Sequence, residues 1–204
     1  MKAKRRNAEE TRDSLLDQAL TLFSVRGYAA TGIRDIIEAA GVTQPTLYYH
    51  FADKQTLFCA LIERYYGESQ QRLEEIVESQ DDCVTRLRLF AANSFESSCQ
   101  DPRVPRLMFQ TYFGPRIPEI DGVLDNLTQR RFGLVVRIMK EGMTDGTLKA
   151  SDAEFLALSF CCLIDQPINL FSRRTQPRRY LTRKLADSLL SLFLVGTLAA
   201  TTNH

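Results

Sequence analysis

The sequence predicts an all-α protein built from a small helical domain followed by a larger one. Apolar residues recur at the spacing of one helix face, as Leu16, Leu20 and Phe23 do, and no alternating strand pattern of useful length interrupts them. Glycine or proline separates most of the periodic segments. A length of 204 residues suits two unequal domains better than a single core. We place these domains at residues 1–66 and 67–204.

Three short helices and the start of a long fourth account for the smaller domain. The first covers about residues 11–26 and the second about 32–40, and each is followed by a glycine, Gly27 or Gly41, that readily takes the left-handed cap conformation. A third helix covers about 44–51. The long fourth helix joins this domain to the larger one.

Small polar residues stand where the N-termini of these helices require them. Thr31 is available as the cap of the second helix, Thr43 as the cap of the third and Asp53 as the cap of the fourth. The third helix has one clearly apolar pair, Leu47 and Phe51. The rest of its surface is therefore free for other contacts.

The larger domain consists of apolar-rich helices separated by proline, glycine or charged turns. Pro167 lies inside one of them and predicts a kink there. The predicted helices cover about residues 82–99, 104–113, 119–141, 152–172 and 179–200.

The composition is that of a globular protein, with 44% hydrophobic residues, 25% charged residues and a formal net charge of +1. This charge argues against a protein that coats nucleic acid without sequence preference, although it does not exclude local patches. No uncharged apolar run reaches the roughly 18–20 residues that cross a bilayer, and the N-terminus leads into polar residues. We therefore expect a cytoplasmic protein with no membrane partner.

Two basic clusters stand out against this balanced total. Either can contact phosphate, and either can instead be a solvated tail or loop. The N-terminal arm contains Lys2, Lys4, Arg5 and Arg6, and the late cluster contains Arg173, Arg174, Arg178, Arg179, Arg183 and Lys184.

The five cysteines form no CxxC pair and have no histidines at the spacing of zinc ligands. An odd, scattered set is typical of reduced core thiols, and a redox sensor is the alternative interpretation. Cys161 and Cys162 are adjacent in a predicted helix, so their side chains diverge by roughly 100° and a disulfide between them is not expected. We predict no metal site and no cofactor.

The second and third predicted helices are joined by only three residues, 41–43, and must therefore cross steeply. Such a pair has the shape that fits a helix into the major groove of DNA. On the outward side, Gln44 can bond adenine N6 and N7 together, which discriminates between bases by about 1–3 kcal/mol. Tyrosine hydroxyls and Lys54 suit phosphate oxygens. A small polar surface helix is the alternative interpretation.

Several short segments of the smaller domain agree with one known signature in order and spacing. They are Gly27-Tyr28, Thr31-Gly32-Ile33-Arg34-Asp35-Ile36, Ala39-Ala40-Gly41-Val42-Thr43, Thr46-Leu47-Tyr48-Tyr49-His50-Phe51 and Asp53-Lys54. Together they resemble the TetR family of bacterial helix-turn-helix transcriptional regulators. The resemblance covers about residues 12–65, and the rest of the chain matches only in being helical and of suitable length.

The resemblance implies a set of DNA contacts. We expect Gln44, Thr46 and Tyr48 to read bases. The predicted DNA-binding residues are Thr31, Arg34, Thr43, Gln44, Thr46, Tyr48, Tyr49, His50 and Lys54. One departure concerns Gly32, where the family often has serine or threonine; the capping and phosphate contact made there either falls to Thr31 or is lost. Another is Ile37 in place of the more usual alanine, which we interpret as a packing change.

The resemblance also implies a homodimer, because in this family the last two helices pair with those of a second copy as a four-helix bundle. A twofold dimer would present two reading helices about 34–36 Å apart to double-stranded DNA with inverted half-sites. An intrachain core explains each apolar residue of these helices equally well. The predicted interface residues are Leu156, Phe160, Leu163, Leu185, Leu189 and Phe193.

Members of the family bind apolar ligands among the helices of the larger domain, which implies a small-molecule effector site. Aromatic and flexible residues gather in these helices, and core packing is the alternative role for each of them. The predicted effector-binding residues are Phe109, Tyr112, Phe113, Phe132, Met139 and Gln166.

These features together predict a sequence-specific transcriptional regulator, specifically a repressor released from its operator by a small, largely apolar effector. A DNA-binding or chromosome-organising protein without an effector is the alternative within the same class. An enzyme is the alternative from another class. The sequence has only His50 and His204 as histidines and no glycine-rich phosphate loop, so we expect no enzymatic activity.

Overall fold

The computed structural model describes the backbone of residues 2–197 and the side chains of residues 7–197. Within these limits it contains nine α-helices, one short 3-10 helix and no β-strand, which confirms the predicted all-α class. The helices are α1 (Lys2–Arg26), α2 (Ile33–Ala40), α3 (Gln44–His50), α4 (Lys54–Glu78), α5 (Cys83–Gln100), α6 (Arg103–Tyr112), α7 (Pro118–Thr144), α8 (Ala153–Phe171), a 3-10 turn (Pro177–Arg179) and α9 (Arg183–Thr197). The side chains of the predicted basic arm, residues 198–200 of the last predicted helix and His204 lie outside the described residues.

The helix bounds agree with the predicted ones to within a few residues, with two informative differences. α1 begins at Lys2, well before the periodic apolar residues start. α4 runs without a break through Gly67 to Glu78, so the predicted domain boundary after residue 66 falls inside a helix. α8 likewise continues through Pro167.

The chain forms two compact units. Unit 1 contains Met1–Gly67 and Arg103–Asp125, and unit 2 contains Glu68–Pro102 and Asn126–His204. Unit 1 therefore includes α6, which the sequence-based boundary assigns to the second domain. The contacts of one arginine explain this: the Arg103 guanidinium on α6 donates to the Asp17 carboxylate at 2.8 Å and to the Thr21 hydroxyl at 2.7 Å, both on α1.

The core of unit 1 lies where α1, α2, α3 and the start of α4 meet. Phe23 and Phe58 are fully buried there, and Tyr28 completes a three-ring cluster with centroid separations of 5.2–5.9 Å. Leu47 and Phe51 of α3 are also buried, as the sequence predicts. α3 is thus held to the rest of unit 1 by a few apolar side chains, and most of its surface remains open.

The core of unit 2 is built from α5, α8 and α9. The Phe160 ring on α8 lies 6.1 Å from the Phe90 ring on α5 and 5.6 Å from the Phe193 ring on α9. A bidentate ion pair between Arg131 and Asp165, with N–O distances of 2.8 and 3.0 Å, joins α7 to α8. These contacts tie the helices of the larger unit into one body.

Candidate nucleic-acid interface

The turn between α2 and α3 depends on a glycine. Gly41 has φ 63° and ψ 31°, the left-handed conformation that side chains disfavour. Its N–H donates to the Glu38 carbonyl at 3.2 Å, and the N–H of Val42 donates to the Ile37 carbonyl at 3.2 Å. The turn therefore closes the end of α2 and redirects the chain into α3 within three residues.

The N-terminus of α3 is capped as the sequence predicts. The Thr43 hydroxyl accepts from the Thr46 N–H at 3.4 Å and lies 2.8 Å from the Thr46 hydroxyl. Pro45 occupies the first turn, where a missing N–H costs no helical hydrogen bond. The two hydroxyls are consequently held together at the beginning of the candidate reading helix.

The outward side of α3 presents side chains that can hydrogen-bond. Gln44 is exposed, as are Tyr48 and Tyr49, and the exposed fraction of Tyr49 reaches 79%. Arg34 on α2 is exposed as well. Tyrosine is enriched at interfaces, because its ring is apolar and its hydroxyl can form a hydrogen bond.

His50 at the end of α3 is half-buried beside Arg12 of α1, whose guanidinium lies 5.4 Å from the centroid of the Phe51 ring. Burial lowers the pKa of His50, and the positive charge of Arg12 lowers it further. The neutral imidazole is therefore favoured, with one nitrogen able to donate a hydrogen bond and the other able to accept one.

The Lys54 ammonium already makes two hydrogen bonds within unit 1. Its ammonium donates to the Tyr28 carbonyl at 3.0 Å and to the Thr31 carbonyl at 3.2 Å, and it lies 4.1 Å from the centroid of the Tyr28 ring. An ammonium has three N–H donors, so one remains for a phosphate oxygen. Lys54 thus fastens the segment between α1 and α2 to the start of α4.

Thr31 does not lie where the sequence-based prediction requires it. Its side chain is fully buried and its hydroxyl donates to the Gly27 carbonyl at 2.8 Å, so it can neither cap α2 nor reach a phosphate. Gly32 is the N-cap residue instead, and its N–H donates to the Asp35 carboxylate at 2.7 Å. The prediction of Thr31 as a DNA contact is therefore wrong, because the hydroxyl is used within its own turn.

Three residues of this site were not identified from sequence. Tyr28 is buried; burial, together with the nearby carboxylates Glu119 and Asp53, raises its pKa to about 12. Arg12 acts on His50 from α1, and Asp35 caps α2. Only Asp35 leaves a signal in the sequence, because an acidic residue three positions after an N-cap is the spacing of a capping box.

The candidate interface therefore contains eight of the nine predicted residues. Arg34, Thr43, Gln44, Tyr48 and Tyr49 are exposed. Thr46, His50 and Lys54 are half-buried.

Two helices of unit 2, α8 and α9, carry exposed apolar side chains. One side of α8 exposes Phe155, Leu158 and Leu170, and one side of α9 exposes Leu192 and Val195, the last to 84%. α8 also has the length and apolar composition of a membrane-spanning helix, with a mean hydropathy of 1.3. It reaches this value because it is apolar both on the side that packs within unit 2 and on the exposed side.

The predicted dimer-interface residues lie mainly on the packed side. Leu156, Phe160 and Phe193 are buried in the core of their own unit and offer little or no surface to a second copy. Their burial does not support the predicted interface role, because periodicity locates an apolar face without showing what covers it. The other three predicted residues, Leu163, Leu185 and Leu189, are half-buried.

The predicted effector residues are divided between the two compact units. In unit 1, Phe109 is half-buried and its ring stacks on that of Phe113 at 6.1 Å, while Tyr112 and Phe113 are exposed. In unit 2, Met139 is fully buried, Phe132 is half-buried and Gln166 is exposed. A cavity of about 250 Å³ on unit 2 has a different lining, formed by Ala92, Phe95, Glu96, Cys99, Arg178, Leu181 and Arg183.

Residues 15–61 match the family model described as bacterial regulatory proteins, tetR family. The HTH-type transcriptional regulator AcrR of Shigella flexneri is 37% identical over 112 residues, which are 53% of this chain and 51% of AcrR. The HTH-type transcriptional repressor KstR2 of Rhodococcus jostii is 36% identical over 86 residues, 42% of each chain. The chain thus spans about half the length of the curated relatives it matches.

Among solved structures, the transcriptional regulator FadR of Bacillus subtilis in complex with stearoyl-CoA is similar, with a TM-score of 0.77 and 20% sequence identity. The match covers 90% of this chain and 97% of FadR. At this identity the likeness shows a shared fold, and it extends through both compact units.

Proposed function

Because the chain belongs to the TetR family of bacterial regulatory proteins, we propose that it is a cytoplasmic transcriptional regulator that binds DNA sequence-specifically through α3. The observation that carries this proposal is the outward face of α3. Gln44, Tyr48 and Tyr49 are exposed side by side on a helix anchored by Leu47 and Phe51. A helix with this geometry and these side chains can lie in the major groove and read base edges.

The proposal assigns different tasks to different residues. Gln44 and Tyr48 are exposed at the start and middle of α3 and read bases, together with Thr46. Tyr49 and Arg34 bond phosphate oxygens, and such contacts position the protein without reading sequence. Lys54 offers its remaining N–H to a phosphate and also maintains the turn before α2.

We propose a homodimer that uses the exposed stripes of α8 and α9 rather than their buried sides. Phe155, Leu158, Leu192 and Val195 would be covered by the same residues of a second copy, as a twofold axis requires. A large apolar patch exposed on a monomer is unfavourable in water, and this supports the assignment. Two copies of α3 would then contact inverted half-sites.

We further propose a repressor that a small, largely apolar effector releases from its operator. The support is a layer of buried polar atoms where α4 faces α5. Two hydrogen bonds align the helices, one between the Ser69 and Ser97 hydroxyls and one from Arg72 to the Asn93 side-chain oxygen, both at 3.2 Å. The turns that hold these four residues therefore lie opposite each other.

On or next to these turns, Gln70 Oε1, Asn93 Nδ2 and Ser94 Oγ are buried without a hydrogen-bond partner among the described residues. Each such atom costs about 1–3 kcal/mol unless a water or ligand bonds it. The set comprises one acceptor, one donor and one hydroxyl that can do either. It therefore suits an apolar molecule bearing a neutral polar group.

The central test measures DNA binding. Binding sites are selected from random duplexes, and the affinity of the wild type for the selected site and for a shuffled duplex is measured by fluorescence anisotropy at one salt concentration. Gln44→Ala is expected to weaken binding to the selected site about 5- to 150-fold, the effect of one lost bidentate base contact of about 1–3 kcal/mol. Tyr48→Ala is expected to relax sequence preference as well.

Gln129→Ala is the matched control, because Gln129 is exposed on α7 in unit 2. It should leave both affinities unchanged. If Gln44→Ala and Tyr48→Ala bind like the wild type with the same preference, α3 is not the reading helix. If the wild type itself does not prefer any selected site, the proposed function is wrong.

The effector proposal is tested separately, with the complex of protein and selected DNA. Apolar alcohols and ketones are the first probes, followed by stearoyl-CoA, the ligand in the FadR complex. A binding compound should raise the melting temperature and release the DNA, and Ser94→Ala should weaken both effects. A ligand that raises the melting temperature without release of DNA would contradict the repressor mechanism.

A further inference from the structure

The segment of residues 173–184, here called the basic segment, carries six cations and no acidic residue. Of the 26 basic residues of the chain, these six leave 20 against 25 acidic residues elsewhere. No carboxylate occurs in the sequence between Asp165 and Asp187. The basic segment is therefore a local concentration of positive charge on an otherwise acidic chain. Its cations are Arg173, Arg174, Arg178, Arg179, Arg183 and Lys184.

The cations of the basic segment are exposed and almost entirely without ionic partners. Among the described residues, only Arg183 approaches a carboxylate, that of Glu96 at 4.0 Å, and both side chains are mostly exposed. Arginines elsewhere in the protein commonly pair with an acid. Ten that do so are Arg26, Arg64, Arg72, Arg86, Arg88, Arg103, Arg116, Arg130, Arg131 and Arg137. The basic segment departs from this rule.

The backbone of the basic segment is anchored, so its charges are presented from a defined surface. Pro177 and Leu181 are buried, and the N–H of Leu181 donates to the Pro177 carbonyl at 2.9 Å. The Tyr180 ring stacks on the Phe171 ring at 4.6 Å with an interplanar angle of 4°. A solvated loop needs no such anchors, and an ordered array of unpaired cations fits a polyanion.

The basic segment joins α8 to α9, the two helices of the proposed dimer interface. A twofold axis at that interface brings the two copies of the segment to the same end of the four-helix bundle. Their like charges then add in one field, which no carboxylate of the segment offsets. Repulsion between them is relieved if an anionic partner with regularly repeated charges covers both copies.

We propose that the basic segment binds the phosphate backbone of double-stranded DNA without sequence preference, adding a second contact surface to that of α3. This inference rests on the proposed function, because DNA is the polyanion that a regulator meets. Arginine suits the task, since its planar donors match phosphate oxygens. The expected effect is on affinity and salt dependence, while sequence preference stays with α3.

The experiment compares salt dependence in full-length proteins. The variants are Arg173→Gln/Arg174→Gln and Arg178→Gln/Arg179→Gln, each of which removes two exposed charges without touching the buried anchors. The control is Lys140→Gln/Lys149→Gln, which removes two exposed charges elsewhere in unit 2. Affinity for the selected site and for a shuffled duplex is measured across a series of salt concentrations.

Each lost phosphate contact lowers the slope of log affinity against log salt by about 0.9. A dimer that loses one contact per copy should therefore show a slope smaller by about 1.8, on both duplexes alike. The ratio of the two affinities should remain that of the wild type. The control should retain the wild-type slope.

An unchanged slope in both basic-segment variants would overturn the inference, and so would an equal change in the control. Vesicles of phosphatidylglycerol test an anionic membrane as the partner: binding that depends on these arginines, with an unchanged DNA slope, also overturns it. A wild type that does not distinguish the selected site from the shuffled duplex refutes the proposed function instead, whatever the slopes.

Discussion

At Lys54 a single ammonium group contacts the backbone of the segment before α2 and the ring of Tyr28. The carbonyl oxygens of Tyr28 and Thr31 lose a charged donor if this group is removed. Hydrogen bonds to charged groups contribute more than neutral ones, because the charge strengthens the interaction. Stability and DNA binding are therefore both expected to depend on this residue.

Lys54→Met keeps the apolar stem and removes the ammonium. We expect the free energy of unfolding to fall by about 1.5–3 kcal/mol, the range for hydrogen bonds to a charged group. Urea denaturation followed by circular dichroism measures it. Lys140→Met, an exposed position on α7, should change it by less than about 0.5 kcal/mol. Full stability combined with weaker DNA binding would mean that Lys54 serves phosphate alone.

Glu141 is the acidic partner of a buried arginine. The Arg86 guanidinium donates to its carboxylate and to the Val77 carbonyl, and Arg137 lies within 3.2 Å of the same carboxylate. The hydrogen bond from Arg86 holds the pKa of Glu141 below its ordinary value. Its ionised form is therefore favoured more strongly in the folded protein than in the unfolded chain.

Glu141→Gln should lower the free energy of unfolding at pH 7 by about 1–3 kcal/mol, because the guanidinium of buried Arg86 loses its counter-charge. A depressed folded-state pKa adds stability above the unfolded value, about 4.3, and that stability is lost as the pH falls through the folded value. The difference in melting temperature between wild type and variant should accordingly shrink below about pH 4. A difference that stays constant would contradict the ion pair.

At the scale of the helices, replacing two glycines by alanine should change the free energy of unfolding in opposite directions, although both positions have room for a Cβ. Gly41 ends α2 in the left-handed conformation, whereas Gly67 lies inside α4 with helical geometry, and an added Cβ would meet nothing within 4 Å at either position. The two positions therefore offer an added Cβ equal space and differ in backbone conformation. Gly41→Ala should lower the free energy of unfolding by about 1 kcal/mol, and Gly67→Ala should raise it by about 0.5–1 kcal/mol.

Thermal unfolding of both variants checks the two signs in one experiment. Gly41→Asn is a useful addition, since asparagine tolerates the left-handed conformation and should lose less than alanine. Two changes of the same sign would show that backbone conformation at Gly41 is not the controlling factor.

Helix positions were predictable because their signals are local. The apolar spacing of α1, the glycine after α2 and the Thr43 cap each involve residues within one or two turns. The role of Thr31 was not predictable from sequence. Thr31 and Asp35 are both residue types that cap helices, and only the folded turn shows that the Thr31 hydroxyl bonds Gly27 whereas the Asp35 carboxylate bonds the N-terminus of α2. Most helix bounds could be predicted to within a few residues, whereas the start of α1 and the N-cap of α2 could not.

The placement of α6 in unit 1 could not be predicted from the sequence either. It depends on Arg103 reaching Asp17 and Thr21, more than eighty residues earlier in the chain. The spacing of apolar residues along one helix does not indicate a contact with a residue so distant in the sequence. The same holds for Arg12 and His50, which meet only because α1 and α3 pack together.

For the whole molecule, the central question is which side of α8 and α9 faces a second copy. Both helices are apolar on two sides, and periodicity alone favoured residues such as Phe160 that belong to the core. Because the buried sides of α8 and α9 pack within unit 2, their exposed sides are the ones available to a second copy. Five large apolar side chains that are each more than half exposed support an interface there.

Leu192→Glu tests this assignment, because Leu192 is 66% exposed on the apolar stripe of α9 and a charge there would be buried between two copies. The variant should fold with wild-type helicity but sediment as a 23.2 kDa monomer, where the wild type sediments at twice that mass. Val25→Glu, at an equally exposed position on α1 in unit 1, is the control and should remain dimeric.

Because a monomer contacts one half-site at a time, Leu192→Glu should also bind the selected DNA far more weakly while Gln44 and Tyr48 are intact. A variant that remains dimeric would place the interface on another surface, and a wild type that is already monomeric would exclude the twofold arrangement altogether.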